Sequence, residues 1–232
     1  MNEPKSKETG HAGAKVEHLE FAAPEPGQPL TPEWQAEFLT NLRLAKARIP
    51  HRFAGKTFDN FVVGRNAKRR DILEAAKSFV HAFSGKTTDG LLVSGNVGCG
   101  KTHIAVAILQ AIIRKGHTGL YYNMPDLLSD IRATFSEDAP MTESDLLEEI
   151  NEPDLLALDD LGAETAKDWV NDRLYLIVNR RYESSRPILV TTNLDMDELT
   201  RKLGERTVSR LCEMCHSFAP FPDEDYRKKH MR

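Results

Sequence analysis

Long hydrophobic runs are missing from this chain of 232 residues. Its most apolar stretches fall far short of the roughly 20 residues that a bilayer-spanning helix needs. The start, Met1-Asn2-Glu3-Pro4-Lys5, has no signal-peptide apolar core. No membrane partner is expected, and the reading is cytoplasmic. Cysteine is scarce, with 3 in all, which fits a reducing compartment rather than a disulfide framework. Cys212-Glu213-Met214-Cys215-His216 spells a c-type haem attachment pattern. That attachment needs export, and too few ligands gather there for the four that a zinc site takes. The two cysteines read as small apolar residues on a helix. Net charge is slight, −4, so nothing pulls the whole chain toward nucleic acid. The charge is uneven, however: Arg65, Lys68, Arg69 and Arg70 cluster, and Asp126 to Glu164 is acidic with only Arg132 opposing. Both stretches read first as solvated surface. There is no internal repeat.

What the chain does have is a phosphate-binding loop, Gly95-Asn96-Val97-Gly98-Cys99-Gly100-Lys101-Thr102. A short apolar strand candidate, 90–94, precedes it. Ile104, Val106, Ile108, Leu109 and Ile112 follow at helical spacing, marking a helix over 101–115. Strand, glycine loop and helix form the context this motif requires. Backbone N–H groups of such a loop face a phosphate, and the helix start adds partial positive charge. Lys101 would bridge the β- and γ-phosphates of a nucleotide, and the Thr102 hydroxyl would hold Mg²⁺. Cys99, near a helix start and Lys101, is expected to be a reactive thiolate.

Residues 1–30 mix Pro, Gly, Glu, Lys and Ala without period and read as a mobile tail. Thr31-Pro32-Glu33 is a helix start, and Trp34, Phe38, Leu42, Ala45 and Ile49 form one apolar stripe ending at Pro50. The next ordered segment begins at Thr57-Phe58-Asp59-Asn60-Phe61, followed by a helix over 67–83. Strand candidates at 118–123, 154–158, 187–192 and, more weakly, 217–221 alternate with helices at 124–136, 142–150, 167–184 and 196–214. Alternating strands and helices predict an α/β fold with a parallel sheet covered on both faces.

Asp154-Leu155-Leu156-Ala157-Leu158-Asp159-Asp160 is an apolar strand ending in two carboxylates. Ligands of an open parallel sheet sit beyond the carboxyl ends of its strands, so these acids would face the loop. Asp159 would reach Mg²⁺, and Asp160 would polarise a water for attack on the γ-phosphate. Asn193 ends another buried strand, where it would orient that water or sense the γ-phosphate, the alternative being a cap for the following helix. Arg206 and Arg210 lie four apart on one helix face, suited to stabilising charge in a neighbouring subunit's site.

These four elements, in this order, resemble the AAA+ ATPases. The wording Gly-Lys-Thr-His at 100–103, Met124-Pro125-Asp126-Leu127-Leu128, Leu-Asp-Asp-Leu-Gly at 158–162, Thr-Thr-Asn-Leu at 191–194 and Gly-Glu-Arg-Thr-Val-Ser-Arg-Leu at 204–211 is similar to that of the DnaC/DnaI helicase loaders. Asp225-Tyr226-Arg227 matches their C-terminal end. Each piece is shared with the IstB transposition helpers. The resemblance covers roughly 50–230 and implies a P-loop NTPase domain over 51–232, preceded by the 31–50 helix. It implies a five-stranded parallel sheet of order 5-1-4-3-2, helices on both faces and no C-terminal helical lid. It further implies ATP and Mg²⁺ as ligands, and a replicative hexameric helicase and single-stranded DNA as partners. Asp160, Asn193 and Arg210 would be catalytic, with Arg206 the alternative finger. Aspartate where many AAA+ proteins carry glutamate implies slow hydrolysis, suited to a switch.

The loaders hold helicase with their N-terminal part, so Trp34, Phe38, Leu42 and Ile49 are expected to form a partner-binding arm, the alternative being a core helix. Arg132 with Tyr121, Tyr122 and Phe135 is the expected single-strand contact. The rival readings are an IstB-like helper of a transposase and, more remotely, a small-molecule P-loop kinase.

Overall fold

The structure, a computed structural model, describes residues 31–163, 168–217 and 221. Its centre is a five-stranded parallel sheet made of β1 (Gly90–Ser94), β2 (Gly119–Asn123), β3 (Leu155–Leu161), β4 (Ile188–Thr192) and β5 (Cys215–Ser217). The spatial order is β2-β3-β4-β1-β5, the expected 5-1-4-3-2 read from the other edge. Leu91 to Val93, Leu155 to Leu158 and Ile188 to Val190 are all buried. Such unbroken apolar runs suit strands covered on both faces.

The helices are α1 (Pro32–Lys46), α2 (Ala67–Ala82), α3 (Lys101–Arg114), α4 (Met124–Ala133), α5 (Glu143–Asn151), α6 (Asp168–Glu183), α7 (Met196–Leu203) and α8 (Glu205–Met214). On one face of the sheet α3 carries Ile104, Ile108, Leu109, Ile112 and Ile113 into a core shared with Tyr121, Ala157 and Leu189. Helices α4 to α8 build the other core over Leu92, Tyr122, Leu158 and Val190. Alternation along β2 thus sends Tyr121 and Tyr122 to opposite cores.

Helix α3 is buried almost all round, because the chain between α1 and α2 wraps its outer side. Gln110 Nε2 donates to the Lys56 carbonyl at 2.9 Å, and His103 Nε2 lies 2.8 Å from the Thr57 carbonyl. The same wrap closes the edge strand β2, where Tyr121 N–H donates to the Ala47 carbonyl at 2.8 Å.

Several boundaries differ from the sequence reading: β3 runs on to Leu161, past the expected 158, and α4 ends at Ala133 rather than 136. The expected helix over 196–214 is broken at Gly204, which ends α7 and starts α8 at φ 82° and ψ 152°. That conformation is open essentially to glycine alone. The weak last strand lies at 215–217 rather than 217–221, and of residues 218–221 only Phe221 is described, its N–H bonded to the Ser94 carbonyl. Cys215 therefore belongs to β5, while Cys212 on α8 is exposed rather than apolar filling. The 1–30 tail, the Asp225-Tyr226-Arg227 match and the chain after β5, where the absence of a lid was expected, lie outside the described residues, Phe221 apart. Among the described residues no helix is long and apolar enough to cross a membrane.

Candidate functional site

The glycine loop joins β1 to α3 at the carboxyl end of the sheet. Gly95, Gly98 and Gly100 have φ of 148°, 79° and 109°, values that side-chain-bearing residues avoid. Gly100 is also the N-cap of α3, so backbone N–H groups of the loop and first turn converge where an anion would sit. Arg69 buttresses the loop from behind. Its guanidinium donates to the Cys99 carbonyl at 2.6 Å and the Val62 carbonyl at 2.8 Å, and lies 4.5 Å from the Phe61 ring centroid. Three members of the basic cluster are exposed, but Arg69 is buried.

Lys101 Nζ donates to the Gly95 and Asn96 carbonyls at 2.8 and 2.9 Å and to Asn193 Oδ1 at 2.5 Å. Asn193 Nδ2 donates in turn to Asp160 Oδ1 at 2.5 Å. The loop lysine, the amide just after β4 and the β3 acid thus form one chain of contacts. The cap of α7 is Asp195, not Asn193, which leaves the Asn193 amide to the site.

Consecutive strand residues point to opposite faces, yet Asp159 and Asp160 both reach this site. The means is an irregularity in the β3–β4 ladder between Leu158 and Leu161, where Asp160 takes φ 63°. A bulge of this kind re-aims a side chain, and aspartate tolerates the left-handed region better than most residues. Asp159 is buried and held by three hydroxyls. Thr102 Oγ1 and Tyr121 OH donate to its Oδ2 at 3.0 and 2.8 Å, and Thr191 Oγ1 donates to its Oδ1 at 2.6 Å. Thr191 Oγ1 also accepts the Asp160 N–H at 2.9 Å. Burial and then the Asp159 charge push the Tyr121 phenol far above its ordinary value, so it stays a hydrogen donor.

This donor set fits a nucleotide with Mg²⁺. A hard cation takes oxygen ligands, and the Thr102 hydroxyl and Asp159 carboxylate stand together beside the anion-binding loop. Tyr121 and Thr191 were not foreseen as members of the site. Tyr121 was expected at DNA instead, and Thr191 stood within the Thr-Thr-Asn-Leu wording without a role of its own.

Several expected members are placed otherwise. Cys99 is fully buried, and desolvation raises its thiol above the usual range despite Lys101. The expected reactive thiolate is therefore a closed, neutral thiol. Tyr122 is 2% exposed, with its hydroxyl shared between Arg48 and Asp130, and the Arg48 guanidinium lies over its ring. No base can stack there, and Tyr122 leaves the candidate DNA surface. Tyr121 leaves it for the same reason. Arg132 remains exposed, 5.0 Å from the Trp169 ring centroid, with Phe135 set edge-on to that ring and 54% exposed itself.

Arg206 is exposed in the first turn of α8. Arg210 donates to Asn179 Oδ1 at 2.7 Å and lies near the Tyr175 and Tyr182 rings. Trp34 and Phe38 stack at 5.2 Å on α1, where no residue is fully buried, and Phe38, Leu39 and Leu42 are exposed. Ile49, by contrast, packs against the core next to buried Ala47.

The chain is similar to known proteins over most of its length. The family described as IstB-like ATP binding protein matches residues 33–232. A replicative helicase loader DnaC of Buchnera aphidicola is 31% identical over 168 residues, 72% of this chain and 68% of that protein. The crystal structure of a DnaC helicase loader superposes with a TM-score of 0.66 at 29% identity, covering 72% of this chain and 98% of that one. DnaI, at 23% identity and a TM-score of 0.65, over 74% of this chain and 94% of that one, shares the fold.

Proposed function

The chain belongs to the IstB-like ATP-binding family, and within it we propose that it is a cytoplasmic loader of a replicative DNA helicase, switched by ATP. The observation that carries the reading is the contact chain Lys101–Asn193–Asp160 beside the hydroxyl-held Asp159. It joins the phosphate loop, the metal acid and the candidate base in one site. The likeness to DnaC loaders supports the choice of partner.

In this reading the loop amides and Lys101 bind the triphosphate of ATP. Thr102 and Asp159 hold Mg²⁺, which when bound offsets charge on the phosphates. Asp160 accepts a hydrogen bond from the attacking water, and Asn193 fixes the position of that carboxylate. The short arm of Asp160 makes hydrolysis slow, with single-stranded DNA as the stimulus. Arg210, or Arg206 in its stead, completes the site of a neighbouring subunit. Arg132, Phe135 and Trp169 face the single strand, and Trp34, Phe38 and Leu42 meet the helicase.

The enzymatic part is tested by Mg²⁺-dependent ATP hydrolysis and nucleotide binding. Lys101→Ala should abolish binding or turnover, while Asp160→Asn should bind ATP and lose turnover by roughly 10²-fold or more. Normal turnover in Asp160→Asn would remove it as the base. The resemblance to the IstB helpers keeps a second reading open, a helper of a transposase, separated by whether the partner is a helicase hexamer or a transposase on DNA ends.

A further inference from the structure

We propose that Tyr121 is a positioning residue for the metal-binding carboxylate, its phenol fixing the orientation in which Asp159 meets Mg²⁺. The inference rests on the reading of this site as an ATP–Mg²⁺ site. Tyr121 pairs with Ala157 across the β2–β3 ladder, and Asp159 lies two residues further along β3. Alternation puts Asp159 on the same face as Ala157, a small side chain opposite the tyrosine ring. From there the phenol donates to Asp159 Oδ2 at 2.8 Å.

The other strand-borne donor comes from the opposite flank. Thr191 on β4 donates to Asp159 Oδ1 at 2.6 Å, so the carboxylate is gripped from both neighbouring strands. Its terminal torsion is soft without such partners, and each rotation would turn different lone pairs toward the cation. Tyr121 is 2% and Asp159 6% exposed, so bulk water is poorly placed to replace a lost donor. The tyrosine is itself anchored, through its N–H, to the Ala47 carbonyl at 2.8 Å. Outer partners of this kind are typically worth about 10–100-fold in metal affinity.

A purely structural phenol would seek Asp159 only because a buried O–H needs an acceptor. Its loss would then lower stability without altering the metal requirement. The two roles separate in Tyr121→Phe, which keeps the ring. Binding of a fluorescent ADP analogue to the full chain is titrated with Mg²⁺, and measured separately in EDTA. The half-maximal Mg²⁺ concentration should rise about tenfold, with affinity in EDTA within twofold of the parent. Thr191→Val should shift the Mg²⁺ requirement in the same direction, and Thr191→Ser should restore it. If Tyr121→Phe does not fold, Tyr121→Met repeats the comparison. An unchanged Mg²⁺ requirement, beside normal binding in EDTA, overturns the proposal. A parent protein that binds no nucleotide would instead overturn the ATP-site reading beneath it.

Discussion

Arg132 carries its charge over the Trp169 ring with Phe135 beside it, which is how single-strand surfaces combine a cation with stacking faces. Arg132→Glu should weaken affinity for an unstructured oligonucleotide and flatten its salt dependence by the loss of about one phosphate contact. Unchanged affinity and slope would take Arg132 out of the DNA surface. At this scale the sequence was legible where chemistry is local. The loop glycines, Lys101, Thr102 and the paired acids announce themselves through spacing. Burial is what spacing hides. Cys99 sits among positive groups, but it faces the core beside Phe221 and Gly95, so desolvation wins over attraction to Lys101. Tyr121 and Tyr122 look alike in sequence, and only strand register makes one a partner of Asp159 and the other a seat for Arg48.

Helix α1 shows why an amphipathic stripe alone does not separate partner surface from core. Its first turns hold Trp34 and Phe38 in a stacked pair, Phe38 42% exposed, whereas the chain just after it buries Ala47 completely. The stripe therefore divides, with Ile49 packed against the core and Phe38 and Leu42 exposed. Replacing Trp34 and Phe38 together by alanine should abolish helicase binding, with stability changed by less than about 1 kcal/mol, as for surface sites. Ala47→Asp, which would bury a charge at the β2 edge, should cost several kcal/mol. A large drop in melting temperature for the Trp34 and Phe38 pair would assign the whole helix to the core. Most element positions follow from apolar periodicity. The break at Gly204 did not, because Leu199, Leu203, Val208 and Leu211 continue a helical pattern across it.

At the scale of the molecule, the five-stranded order brings β1, β3 and β4 side by side, and with them the loop, the acids and the amide. Parallel connectivity was readable from alternating strands and helices, and the order came with the family resemblance. The proposed finger arginine belongs to this scale, since that role would need a second subunit. Hydrolysis should rise more steeply than linearly with concentration. Arg210→Ala and Asp160→Asn, each inactive alone, should recover activity when mixed, because each supplies the group the other lacks. No recovery at any ratio would leave Arg210 with its contacts to Asn179, Tyr175 and Tyr182. The same mixture made with Arg206→Ala distinguishes the two arginines.

Transfer of a hexameric replicative helicase to a single-stranded DNA circle tests the central claim most directly. The helicase retained on the circle is counted with the protein and ATP, with ADP, and with Lys101→Ala. Retention should rise several-fold with the parent protein and ATP, and should stay at the helicase-only level with Lys101→Ala. Equal retention in the presence and absence of this protein, with ATP bound, would contradict a loading role.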